Sequence, residues 1–333
     1  MRGSRWFAQV VVFLTCLTGM VTIAPSAMAA PSNGPQSPPP QTEFVVLIVL
    51  EGVNRDAVKF GPMPVLTRLA KEGAATWSAA TVDPPLTLPA MASLLTGLPV
   101  EKHKISWNNY DFVRGFVRAP TMFDYLDLSG GRDSAIFWMD ESLQQLSKPE
   151  PYTDYQICGP LKPECNPQTL LRYIRDYFRK ATSGDGHGHA ILSVPHLLVV
   201  HLPEALRVGG ANGWGSAAYR RALRDVDEAI GAILDLYKEL GMLDRAVVIV
   251  TALNGAGNGR PSLNGRSKPG TSDGASATRV PWIAWGAGIK VGYAITHPVS
   301  IMDTGATVLR TLGLETHVEW DSHAVEEIFA GAR

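Results

Sequence analysis

The stretch "VVIVTALNGAGNGR", Val247–Arg260, is an apolar run that stops abruptly in a glycine-rich turn. It reads as a buried strand handing its last residues to a loop. In open α/β sheets, ligands and catalytic groups gather at such carboxyl ends. The residues delivered here are Leu253 and Asn254. Neither can act as a general acid, a general base or a strong metal ligand.

Working outward, Phe44–Leu50, Ser134–Met139, Leu197–Leu202, Ala246–Thr251 and Val280–Trp285 also read as buried strands. Helical patterns separate them. One runs from Pro64 to Lys71 and ends at Gly73. Another opens at Asn166 and Pro167 and continues through Phe178, with Leu170, Leu171, Ile174, Tyr177 and Phe178 on one face. A long one is capped by Ser216 and stopped by Gly241. This alternation predicts one α/β domain over residues 43–333, with a mostly parallel sheet and helices on both faces.

At 333 residues, 45% hydrophobic and a formal charge of -1, the chain can bury a large core and is too balanced to suggest nucleic acid as a partner. Arg2 and Arg5 precede an apolar stretch that closes on Ala27, Met28 and Ala29, so residues 1–29 read as a secretory signal peptide. An uncleaved amino-terminal anchor is the alternative. Cleavage would leave no membrane span and place the protein in the periplasm or outside the cell. Residues 30–42, containing "PSNGPQSPPPQ", read as a proline-rich linker. In an oxidising compartment Cys158 and Cys165, on either side of "GPLKPE", are expected to form a disulfide.

The first strand, in "FVVLIVLEGVNRDAV", ends at Glu51 and Gly52. Farther on, in "PPLTLPAMASLLTGLPVEKHKISWNNY", Thr87 stands at or beside the start of a helix that runs to Thr96 and stops at Gly97. A hydroxyl in the positive field of a helix start suits phosphate or sulfate. The plainer reading is an N-cap threonine.

Together with "VVHLPEALRVGGANGWGSAAY", "VPWIAWGAGIKVG" and "IMDTGATVLRTLGL", these landmarks in this order resemble the alkaline phosphatase superfamily. The chain is most similar to its type I phosphodiesterase and nucleotide pyrophosphatase branch. The resemblance implies an alkaline-phosphatase-like fold, two zinc-like ions, and a threonine or serine nucleophile held between them for attack on phosphorus or sulfur. Matched position by position, Thr87 keeps the nucleophile and Glu51 takes the place of a ligand aspartate. The other ligand positions are degenerate. Leu206 and Gly210 stand for the aspartate and histidine of an Asp-x-x-Gly-His segment, with Gly209, Gly213 and Trp214 keeping the frame. Leu253 and Asn254 stand for those of an Asp-His-Gly segment, with Gly255 retained. For the last histidine the chain offers only Gly270, Ser272 or Asp273. The resemblance gives His103 a structural, turn-packing role.

With these positions lost, no metal cofactor is expected. The sequence thus points to a secreted pseudoenzyme that binds a small ligand or an envelope protein. Two alternatives stand beside it. One is a phosphoester hydrolase with a rearranged or single-metal site using Thr87, Glu51 and Glu204 or His201, which border a strand end. The other is a structural envelope component. "GDGHGHAILSVPHLLVVH", with Asp185, His187, His189 and His196 ahead of His201, is the richest remaining histidine cluster, and a flexible loop fixes few ligands in space.

Overall fold

The computed structural model describes residues 42–147, 153–156, 166–183, 193–257, 278–316 and 318–331. The signal peptide, the linker, Cys158, Cys165, the 184–192 histidines and residues 258–277, which include Gly270, Ser272 and Asp273, lie outside the described residues.

An eight-stranded sheet has the order β4-β3-β5-β1-β6-β7-β2-β8. The strands are β1 (Phe44–Leu50), β2 (Ala74–Ala80), β3 (Ser134–Trp138), β4 (Thr153–Gln156), β5 (Leu197–Leu202), β6 (Ala246–Ala252), β7 (Arg279–Gly286) and β8 (Tyr293–Ala294). Only β7 runs against its neighbours, pairing antiparallel with β6 and β2. The central strands β5, β1 and β6 are parallel and in register, with Val49 opposite both His201 and Thr251. Every residue of β1 is buried, as expected of a strand covered on both faces. The sequence pattern misses β2, β4 and β8. "AATWSAA" in β2 is only partly buried and carries little β-branched bulk.

The helices are α1 (Ala57–Phe60), α2 (Pro64–Glu72), α3 (Thr87–Thr96), α4 (Val100–His103), α5 (Met122–Leu128), α6 (Pro167–Thr182), α7 (Glu204–Asn212), α8 (Ala217–Glu239) and α9 (Asp303–Thr311). α2 and α6 pack on α8, and α3, α5 and α9 form a second group. Expected caps are in place: Asn166 Oδ1 accepts from Thr169 N at 2.8 Å, and Ser216 Oγ from Tyr219 N at 3.1 Å. α2 lacks a cap of its own. Asp227, buried on α8, instead accepts from Val65 N at 3.0 Å and Leu66 N at 2.8 Å. α3 is buried on all sides, so it shows no amphipathic stripe.

Two features place the loop after β1. Gly52 sits at φ +70, and a Cβ there would lie 2.6 Å from Leu206 N in the first turn of α7. Tyr219 of α8 donates its hydroxyl to Gly52 O at 2.7 Å. That burial raises the Tyr219 pKa.

Candidate functional site

The chain leaves β1 at Glu51, two residues past Val49 and therefore on the same face as Val49 and its partner His201. The Glu51 carboxylate is completely buried. A buried carboxylate is costly unless its lone pairs are occupied. Three side chains from three separate elements occupy them. Thr87 Oγ1 donates to Oε2 at 2.7 Å, Asn254 Nδ2 donates to the same oxygen at 2.9 Å, and His201 Nε2 lies 2.7 Å from Oε1.

Asn254 bridges. While its amide nitrogen serves Glu51, its Oδ1 accepts from Gly52 N at 2.8 Å, locking the turn after β6 to the turn after β1. A carboxylate is an acceptor only, so the Nε2–H tautomer of His201 fits the contact. That leaves Nδ1 as a bare acceptor, buried and without a partner. The opposite tautomer would strand a buried N–H donor instead.

Thr87 is the first residue of α3 and is not its N-cap, which is Leu86; its hydroxyl turns to Glu51 instead of capping. The Leu88 N–H there is not free for an oxyanion either, since it already donates to Asn108 Oδ1 at 2.8 Å. The sequence does not mark Asn108. Its signal was only an asparagine in a turn twenty residues downstream.

Among the positions that the resemblance matches to metal ligands, Leu253 is fully buried at the end of β6, its N–H bonded to Leu50 O and its carbonyl to Thr81 Oγ1. Leu206 and Gly210 lie four apart on α7, hence on one face. Leu206 is half-buried, short of the full burial its apolar character suggests, and the Cβ direction of Gly210 opens on empty space. His201 and Glu204, which border the end of β5, reach different partners. His201 faces inward from β5 to Glu51, whereas Glu204 follows Pro203, starts α7 and pairs with Arg207. His103 is buried as expected, with Nε2 2.9 Å from Ser93 Oγ and Nδ1 accepting from Ile105 N at 3.1 Å. Burial lowers its pKa to about 4.

The two-ion arrangement of active relatives does not fit these side chains. A catalytic zinc needs three protein ligands around an open position. The described residues put one carboxylate and one imidazole here, and each is already turned toward the other. Thr87, Glu51 and His201 form a hydroxyl–carboxylate–imidazole chain, and the Asn254 amide takes the second acceptor site of Oε2.

A family model described as type I phosphodiesterase / nucleotide pyrophosphatase matches residues 45–264. No curated protein matches the chain. Among solved structures, human ectonucleotide pyrophosphatase/phosphodiesterase 5 superposes with a TM-score of 0.66 at 13% identity, over 86% of this chain and 100% of that one. The murine protein, in an inactive form in complex with AMP, gives 0.64 at 13% identity over 86% and 100%. A putative sulfatase from Bacteroides thetaiotaomicron gives 0.62 at 16% identity over 86% and 75%. At these identities the structural likeness concerns the fold.

Proposed function

The chain belongs to the type I phosphodiesterase / nucleotide pyrophosphatase family, and from that premise we propose that it is a pseudoenzyme: a binding protein that keeps the family's strand-end site without metal-dependent phosphoryl transfer. One observation carries this reading. Thr87, Asn254 and His201 surround the Glu51 carboxylate where it would otherwise face a cation. Asn254, which the resemblance matches to a ligand histidine, donates to Glu51 and accepts from Gly52, so it has a structural task.

The same arrangement disfavours anions. An anion about 4 Å from a carboxylate meets a repulsion of about 4 kcal/mol at an effective dielectric of 20. The start of a helix returns only about 0.3–1 kcal/mol. AMP, seen on the murine relative, is therefore expected to bind weakly at Thr87. The proposal includes export to the periplasm or beyond, with a small ligand or an envelope protein as partner.

A second reading rests on the 2.7 Å contact between Thr87 Oγ1 and Glu51 Oε2, backed by His201. This is the geometry of a hydroxyl with an adjacent base and a group that orients the base. It would make a metal-free ester hydrolase. Two measurements on one preparation decide between the readings: metal content after mild dialysis, and turnover of a panel of phosphate and sulfate esters. The pseudoenzyme reading expects neither stoichiometric metal nor turnover. Near-stoichiometric zinc or manganese with turnover overturns it, and metal-free turnover lost in Thr87→Ala establishes the second reading.

A further inference from the structure

We propose a ligand site away from Thr87, in the cavity beneath the 107–120 loop, for an amphipathic anion of the fatty-acid type: one apolar chain with one anionic head. The inference does not rest on whether the Thr87 site retains chemistry.

The cavity has a volume of about 900 Å³, near the upper end of the range for small-molecule sites, about 300–1,000 Å³. Its floor is apolar and buried, with Leu98, Ile105 and Val117. Its lips are apolar and wet. Val113 and Val318 are each 93% exposed, and Phe116 is 45% exposed.

These lips are held in place. Gln145, 1% exposed, accepts from Trp107 Nε1 at 2.6 Å and from Asp111 N at 3.0 Å. It donates to Asp111 O at 2.9 Å and to Gly115 O at 2.7 Å. All four bonds of one buried amide therefore fix the loop with its apolar residues in water. Such preorganisation reduces the ordering that a ligand must otherwise impose.

The rim supplies the charge preference. Lys102 and Arg114 are already neutralised, by Asp321 at 2.5 Å and by Asp111 at 2.8 Å. Lys104 and Arg118, which also line the cavity, have no ion-pair partner among the described residues. His103 brings no charge at neutral pH, because burial lowers its pKa to about 4. Lys104 is also the one non-glycine among the described residues with positive φ, at 68°. It is the left-handed C-cap of α4, its N–H bonded to Val100 O, a place where glycine would sit relaxed. Glu319 is the one further carboxylate on the lining, so Lys104 and Arg118 still leave the rim net positive, and over an apolar floor this matches an anionic head and an apolar body.

Calorimetric titration of the purified protein with decanoate, decyltrimethylammonium and decyl maltoside, all below their micelle concentrations, tests the site. Decanoate should bind with 1:1 stoichiometry and the cationic amphiphile should not. Arg118→Ala should weaken decanoate roughly fivefold, the loss of one partly exposed charge contact. Lys104→Gly should weaken it similarly while raising the melting temperature of the free protein, because the left-handed backbone is relieved. A merely structural lysine would not move affinity and stability in opposite directions. Absence of saturable decanoate binding, equal binding of the cationic amphiphile, or unchanged affinity in both variants would overturn the proposal. Co-sedimentation with anionic vesicles without decanoate binding would overturn it in favour of a membrane contact.

Discussion

Replacing Asn254 with aspartate changes one NH2 group for an oxygen and leaves the shape of the side chain intact. The Oδ1 that accepts from Gly52 N survives, but the group 2.9 Å from Glu51 Oε2 turns from donor into a second carboxylate oxygen. The lost charge-assisted hydrogen bond is worth about 1.5–3 kcal/mol, and two charges about 4 Å apart at a dielectric of 20 repel by about 4 kcal/mol. The pair escapes part of this by holding a proton between its two carboxyls. A net loss of about 3–5 kcal/mol at pH 7 is expected, comparable with stranding a buried charge. The folded variant then binds more protons than its unfolded chain, so its stability must fall as pH rises from about 4 and recover on acidification. Urea unfolding at pH 7 and pH 5, followed by tryptophan fluorescence, measures both effects. A variant within about 1 kcal/mol of the parent at pH 7, with no recovery at pH 5, would refute the claim that Asn254 serves as a donor to Glu51.

His103 gives a pH dependence of opposite sense. With a folded pKa of about 4 against 6.5, the unfolded chain protonates first, so stability is full above about pH 6.5 and declines by up to about 3 kcal/mol toward pH 4; imidazole NMR titration and the pH series of unfolding midpoints must agree, and His103→Gln should flatten the series. Asp227→Ala should cost about 2 kcal/mol through two lost contacts at the start of α2, with Asp227→Asn between it and the parent because one carbonyl oxygen still accepts; chemical denaturation reads both. Gly52→Ala should cost about 3 kcal/mol or prevent folding, since a left-handed φ and a 2.6 Å approach to Leu206 N act together; an unchanged melting temperature would mean that α7 can back away.

The strands legible in the sequence are the ones buried on both faces, where continuous apolar runs leave little choice. β1, β5 and β6 are of this kind, and they bracket the site. β8 has two residues and β2 is half-wet, so neither carries a period to detect. The antiparallel direction of β7 is set by where its connection crosses, and Arg279–Gly286 itself contains no sign of it. At the site, the positions of Glu51, Thr87 and Asn254 follow from strand ends and a helix start. Their mutual hydrogen bonds do not, because they join residues 36 and 203 apart in the chain. His201 and Glu204 both border the end of β5, and it is His201 that reaches Glu51. Glu204 is nearer in sequence, but strand alternation aims the imidazole at Glu51. The cap of α2 by Asp227, 161 residues from Leu66, is invisible for the same reason.

The order of the sheet has a bearing on how the chain reaches its folded state. β1 is the first strand to be made, yet its partners on either side are β5 and β6, and Val45 pairs with Leu197 and Val247. At about 5–20 residues per second, the ribosome takes about 10–40 s to supply the second of them. Throughout that interval "FVVLIVL" is a seven-residue, uncharged, β-branched segment with both hydrogen-bonding edges open, the composition that pairs most readily with copies of itself. Folding of this protein is thus a race between a distant partner in the same chain and an identical segment in the next. Its yield should depend on synthesis rate and on holdase chaperones more steeply than the stability of the finished sheet would suggest.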